Sequence, residues 1–301
     1  MKAFIVVNPT KVADVDSLRT TVAKSCAEAG WDEPVIIETT KDDPGAGMAR
    51  DAIKSGADLI LSAGGDGTVM AIAAALSGTG VPLGILPLGT GNLLARNLGL
   101  PLKVDQAIEV ALKGRDRTID LGSMTKDGAE DATVFAVMAG VGFDAAMMDD
   151  APEGVKDKLG WPAYIISGAK HLRDRSITMG LRIDDEPPLT RHVSSVIVGN
   201  VGTLQGGLQL LPDAIPDDGQ LDVVVLQPTR PIDWLRVIGR LITRAKKEDR
   251  ELERFRGKRV EIRLRHPQPS QLDGDTQGAV SKLVIEVVPA ALVVRVATAK
   301  A

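Results

Sequence analysis

Residues 59–68 read Leu59-Ile60-Leu61-Ser62-Ala63-Gly64-Gly65-Asp66-Gly67-Thr68. A strand-like apolar run, 58–63, ends in three glycines set around one carboxylate, and an apolar helical pattern, 69–76, follows at once. Glycine lets a backbone approach an anion closely and tolerates positive φ. A helix start offers N–H groups without intrahelical partners and the positive end of the dipole. A bare carboxylate repels phosphate, so Asp66 in such a cradle makes sense with Mg²⁺ or a donor hydroxyl in between. The plainer reading is a tight turn with Asp66 as an N-cap. The strand before and the helix after favour phosphate binding.

The same logic returns downstream. The strand-like run 82–86 leads into Pro87-Leu88-Gly89-Thr90-Gly91-Asn92 and a short helix, 93–97. Two such turns at the carboxyl ends of parallel strands face one crevice. Neither turn is a P-loop, because no Gly-Lys-Ser/Thr follows, and neither carries the Gly-x-Gly-x-x-Gly dinucleotide pattern. The His-Arg-Asp and Asp-Phe-Gly motifs of protein kinases are absent as well.

Farther out, strand-like runs at 3–7, 34–38, 58–63 and 82–86 alternate with helical patterns at 17–29, 46–54, 69–76 and 105–112. That alternation predicts a parallel sheet covered by helices. After about residue 120 the texture changes. Runs at 133–139, 177–183, 193–198, 221–226, 260–264, 283–288 and 291–296 read as strands, interrupted by helical segments only near 160–173 and 231–249. Strands joined without regular helices predict a mainly antiparallel β-rich sandwich. A Gly, Ser, Asp and Lys cluster at 122–131 sets the boundary. The expectation is an α/β domain over 1–122 and a larger β-rich domain over 123–301, whose last strand can pack back on the first.

Composition narrows the function. Of 301 residues, 44% are hydrophobic and 25% charged, the balance of a soluble globular chain. Aromatics are only 3%, which argues against a nucleic-acid reader that stacks bases on rings. Cys26 is the single cysteine, so no intrachain disulfide forms and no Cys-based metal site fits; His171, His192 and His266 have no metal-ligand spacing. The first residues lack the long apolar core of a signal peptide, and no run is long enough to span a bilayer. A cytoplasmic protein is expected.

Two acidic loops follow. Pro212-Asp213-Ala214-Ile215-Pro216-Asp217-Asp218-Gly219-Gln220 reads first as a hairpin turn, although alternating side-chain and main-chain oxygens can also hold a hard cation. Leu272-Asp273-Gly274-Asp275 again reads as a turn.

The order GGDGT at 64–68, PLGTGN at 87–92, GVGFDA at 140–145, GN at 199–200 with GG at 206–207, PDAIPDDGQLDV at 212–223 and LDGD at 272–275 resembles the bacterial diacylglycerol kinase-like lipid kinases. These are relatives of the sphingosine kinases and, more remotely, of NAD kinase. The resemblance implies an ATP-binding first domain, a β-rich second domain and a site in the cleft between them. It implies that Gly64, Gly65, Asp66, Gly67 and Thr68 meet the nucleotide phosphates and the catalytic Mg²⁺. Gly89, Thr90 and Asn92 of the second turn, and a threonine after the second strand, Thr39 or by preference Thr40, are implied to complete the nucleotide site. Asp273 is implied as general base, with Asp66 as the other catalytic carboxylate. The Asp218 side chain with main-chain oxygens of Ile215 and Gln220 is implied to hold a structural Mg²⁺. Met70, Ala71 and Leu93 stand where relatives carry polar or acidic residues, and Asp275 stands where Glu is usual.

The activity implied is transfer of the ATP γ-phosphoryl group to a lipid hydroxyl, diacylglycerol by default, with ATP and Mg²⁺ as cofactors. The alternatives are NAD kinase-type phosphorylation of a soluble acceptor and a non-catalytic nucleotide or lipid sensor, the latter motivated by Met70, Ala71 and Leu93. The implied partner is lipid at a membrane surface, not nucleic acid. Residues 236–265 hold twelve Lys or Arg and five acids, in a chain of net charge −4. On a helix, Arg236, Arg240, Arg244 and Lys247 share one face. That face is either an ordinary solvated surface or a peripheral contact with an anionic inner-membrane surface.

Overall fold

The amino-terminal part alternates β1 (Ala3–Val7), α1 (Val15–Glu28), β2 (Val35–Glu38), α2 (Ala46–Lys54), β3 (Leu59–Gly64), α3 (Asp66–Leu76), β4 (Leu83–Pro87), α4 (Leu93–Asn97) and α5 (Val104–Lys113). The computed structural model describes residues 1–142, 177–204, 209–228 and 252–298, with Asp233 and Gly239. Apart from those two positions, the expected helices at 160–173 and 231–249 lie outside the described residues. The chain forms two units: Met1–Asp120 with Pro289–Ala301, and Leu121–Val288.

In the first unit β1, β3 and β4 are buried at every position. Such strands are covered on both faces, as a parallel sheet requires. The strand order is β2-β1-β3-β4, all parallel. β2 is the outer strand, and its ends are exposed. One face packs Ile5, Val7, Leu59 and Leu61 against Leu18 and Val22 of α1 and Ile108 and Leu112 of α5. Cys26 lies in this core, where burial pushes its thiol pKa up and leaves it inert. α2 and α3 pack together. The space around Gly45, just before α2, is closed by Val6 and Ile72, which places this pair of helices on the opposite face.

The sheet therefore changes direction between β1 and β3. α1 carries the chain outward to β2, and α2 and α3 carry it back through β3 to β4. Ligands of open α/β sheets bind outside the carboxyl ends of strands at such a switch. The loops after β1, β3 and β4 occupy that position.

The second unit is built from antiparallel strands. Its elements are β5 (Arg115–Lys126, which starts in the first unit), β6 (Thr133–Phe135), β7 (Met138–Gly142), β8 (Ile177–Ile183), β9 (Leu189–Val193), β10 (Ser195–Gly199), β11 (Leu221–Leu226), β12 (Leu252–Gly257), β13 (Arg259–Leu272) and β14 (Asp275–Val296). β12, β11, β10, β7 and β13 are successive antiparallel neighbours. The first half of β13 pairs with β8, and β8 with β9. Its second half pairs with β7, after register shifts between Arg263 and Gln268 and between Pro269 and Gln271. Proline cannot donate to a ladder; Pro267 falls inside the first register shift, and Pro269, opposite Ala279, stands at the edge of the second.

β14 runs unbroken where two runs, 283–288 and 291–296, are expected; its last residues return to the first unit, where Val294 pairs in parallel with Leu83. The single run expected at 133–139 is split into β6 and β7. The α/β unit with a parallel sheet and the mainly antiparallel β-rich unit match the expected fold class.

Candidate active site

β3 delivers Gly64 and Gly65 to the start of α3. Gly65 is the N-cap residue, and no side chain caps this helix. The first N–H groups of α3 therefore have neither an intrahelical partner nor a side-chain cap. Asp66 is the first residue of α3, not its N-cap. Its carboxylate reaches the second glycine-rich turn: Oδ2 accepts the N–H of Asn92 at 2.9 Å and Oδ1 accepts that of Leu93 at 2.6 Å. Asp66 thus caps α4 from another helix.

The two turns also touch through their backbones. A Cβ on Gly89 would lie 2.6 Å from the Gly65 Cα, and one on Gly91 would lie 2.7 Å from Asp66 Oδ2. Leu88 N–H donates to the Gly64 carbonyl at 3.1 Å. Asn92 adopts φ 48° and braces the turn: its Oδ1 accepts Gly89 N–H at 2.9 Å and its Nδ2 donates to the Gly89 carbonyl at 2.8 Å. Asparagine tolerates this left-handed conformation better than most residues.

The remaining expected nucleotide residues divide. Gly67 and Thr90 are exposed. Thr68 is buried, and its hydroxyl accepts from Asn8 Nδ2 at 3.3 Å, which ties α3 to the loop after β1. Thr40 is exposed after β2, and its hydroxyl accepts Asp43 N–H at 3.1 Å. Among the described residues the structure brings Gly64–Thr68 and Gly89–Asn92 together, whereas Thr40 acts within its own turn. A cationic neighbour enters from the loop after β1: Lys11 Cε lies 4.0 Å from where a Gly65 Cβ would be. Its position just past a buried parallel strand is the signal that could have singled it out.

In the second unit Asp273 adopts φ 49° in the turn between β13 and β14. Its Oδ1 accepts Val137 N–H at 2.9 Å and Met138 N–H at 2.7 Å, and its Oδ2 accepts Ala136 N–H at 3.0 Å. The half-buried carboxylate is thereby fixed to the chain just before β7.

The acidic loop departs from the expected Mg²⁺ site. Ile215 is exposed. Asp218 Oδ1 accepts Gln220 N–H at 3.0 Å, and Asp218 Oδ2 meets Arg256 Nη2. Arg256 Nε also lies 3.3 Å from Asp222 Oδ1. Asp222 is pushed up to about 6 by burial; Arg256 opposes the shift, and Asp218 and Asp213 add to it. A guanidinium stands where the resemblance implies a divalent ion, and two cations sharing one carboxylate repel. Among the described residues no group of three or more His, Cys, Asp or Glu is placed to hold a metal. This donor set does not fit a structural Mg²⁺. Sequence reading missed Arg256 because only the strand register brings it there.

Residues 2–124 match the diacylglycerol kinase catalytic domain, and residues 136–296 match the YegS C-terminal NAD kinase beta sandwich-like domain. The chain belongs to the diacylglycerol kinase-like lipid kinase family. It is 32% identical over 217 residues to a protein named Diacylglycerol kinase from Mycobacterium tuberculosis (strain ATCC 25618 / H37Rv), covering 70% of this chain and 68% of that protein. It is 31% identical over 272 residues to the protein named Probable lipid kinase YegS from Escherichia coli O6:K15:H31 (strain 536 / UPEC), covering 88% and 86%. A diacylglycerol kinase structure from Bacillus anthracis str. Sterne matches with a TM-score of 0.75 at 20% identity, covering 98% and 96%. An NAD kinase from Archaeoglobus fulgidus in complex with ATP matches with a TM-score of 0.53 at 14% identity, covering 98% and 94%. The last two show a shared fold. Lipid kinase membership makes the paired turns of the first unit the candidate phosphate cradle of this chain.

Proposed function

We propose that the protein transfers the γ-phosphoryl group of Mg·ATP to a lipid hydroxyl, with diacylglycerol as the first acceptor to test. The observation that carries this reading is the pair of turns at the sheet's switch point. Gly65 and Gly89 pack backbone to backbone, and the start of α3 carries no side-chain cap. Phosphoryl transfer asks mainly for positioning and charge neutralisation. The uncapped helix start, Gly64 to Gly67 and Lys11 supply N–H groups, close approach and positive charge for a phosphate chain. Mg²⁺ enters with ATP as part of the substrate and neutralises charge on the phosphates. Asp66 positions the Gly89–Asn92 turn by holding α4.

Asp273 is the carboxylate assigned to accept the hydroxyl proton. The main-chain N–H groups of Ala136, Val137 and Met138 orient it. The acceptor assignment is supported by the names of the relatives, Diacylglycerol kinase and Probable lipid kinase YegS, and by the match of residues 2–124 to the diacylglycerol kinase catalytic domain. Among the described residues no helix is long and apolar enough to cross a membrane, so a lipid acceptor would be met at the bilayer surface. Half of the basic segment 236–265 lies outside the described residues; within its described part, Arg256 pairs with Asp218 and Asp222, Arg259 with Glu286 and Arg263 with Glu261. Peripheral contact with anionic lipid is proposed for Arg236, Arg240, Arg244 and Lys247, which lie outside the described residues.

The test is ADP release from Mg·ATP in the presence of phosphatidylglycerol vesicles with and without diacylglycerol, and with NAD as a soluble alternative. Release that requires diacylglycerol supports the reading. Release that requires NAD, or none with any acceptor, rejects it.

A further inference from the structure

We propose that Arg256 serves as the built-in cation of the Asp-Asp-Gly loop, holding it to the sheet without a bound divalent ion. Register decides the arrangement. β11 and β12 pair antiparallel with Asp222 opposite Arg256. Directly opposed residues project to the same face, close enough for a cross-strand charge pair. From that position the guanidinium places Nε 3.3 Å from Asp222 Oδ1 and Nη2 against Asp218 Oδ2. One planar group with several donors bridges two carboxylates, a geometry that a lysine point charge does not reproduce.

The carboxylates are also committed. Asp218 Oδ1 closes the turn on Gln220 N–H at 3.0 Å, so each oxygen of Asp218 already has a donor. Mg²⁺ demands oxygen ligands at about 2.1 Å in near-octahedral order. It could take Asp218 only by displacing the guanidinium or by standing beside it, and like charges at that range repel. The side chains of Asp218 and Asp222 are 21% and 10% exposed, so their pairing is only partly screened by water. Removing Arg256 would leave two adjacent carboxylates in a half-buried loop, which is the setting that recruits a hard cation. The loop is thus a cation site filled by the chain itself.

The experiment uses full-length, metal-stripped protein without nucleotide or lipid, so it is independent of the kinase reading. Mn²⁺ binding is measured by calorimetry, and melting is followed with Mn²⁺ and with EDTA. The wild type and Asp218→Asn should bind Mn²⁺ identically, and the wild type should melt at the same temperature in either condition. Arg256→Met should melt lower, gain one Mn²⁺ equivalent and recover most of the lost melting temperature with Mn²⁺. Arg256→Met/Asp218→Asn should lose that equivalent. A wild-type Mn²⁺ site abolished by Asp218→Asn overturns the proposal. So does an Arg256→Met protein that gains no Mn²⁺. If Arg256→Met does not fold, the comparison of wild type with Asp218→Asn decides alone.

Discussion

Asp66 Oδ1 accepts the main-chain N–H of Leu93 at 2.6 Å, across 27 residues of sequence. With the bond from Asn92 at 2.9 Å, one carboxylate at the start of α3 caps the start of α4. The consequence is mechanical: the two glycine-rich turns form one unit, and the geometry of each depends on this side chain.

Asp66→Ala leaves two N–H groups at the start of α4 without their acceptor. An unmet buried donor costs about 1–3 kcal/mol. The variant should therefore unfold at lower denaturant concentration and bind Mg·ATP more weakly. Asp66→Asn keeps one acceptor oxygen and should recover part of both losses. Chemical denaturation and calorimetry check this. Wild-type stability in Asp66→Ala would show that the clamp contributes nothing.

Gly89→Ala and Gly67→Ala separate packing from ligand approach. A Cβ on Gly89 would sit 2.6 Å from backbone of Gly65, whereas one on Gly67 would meet nothing within 4 Å. Gly89→Ala should lose roughly 1–3 kcal/mol of stability, as overpacking does. Gly67→Ala should stay within about 0.5 kcal/mol of wild type. If α3 cradles phosphate through a close backbone approach, Gly67→Ala should nonetheless weaken Mg·ATP binding. Unchanged affinity in Gly67→Ala would count against contact at that residue.

Asp273→Asn should lower turnover by about 10²–10⁴, the usual loss when a base is removed. The substitution also sets an amide among the N–H groups of Ala136, Val137 and Met138. Stability should therefore fall too, while Mg·ATP affinity stays near wild type. Turnover within tenfold of wild type would remove Asp273 from the role of base.

The first unit was legible because its signals are local. Ala3–Val7 and Leu59–Gly64 are continuous apolar runs, and glycines mark the turn that follows β3. Asp66 stands out in the motif, but its hydrogen-bond partners do not, since Asn92 and Leu93 come from another strand-to-helix turn. β5, which starts in the first unit, is hidden because Arg115, Asp116, Arg117 and Thr118 give it a polar start. Pro267, Pro269 and Gly278 hid the length of β13 and β14, whose bulges and long pairing no short window reveals. On its own residues the acidic loop reads as a turn, and the resemblance implies a metal there; neither reveals Arg256, which lies 38 residues beyond Asp218 and arrives only through the register of β11 and β12.

Lipid phosphorylation is read out directly by mass spectrometry of a total lipid extract incubated with the protein and Mg·ATP. A neutral lipid bearing a free hydroxyl, diacylglycerol first, should gain one phosphoryl group, and Asp273→Asn should not make this product. A lipid fraction unchanged in mass, under conditions where the protein binds Mg·ATP, would contradict lipid kinase activity.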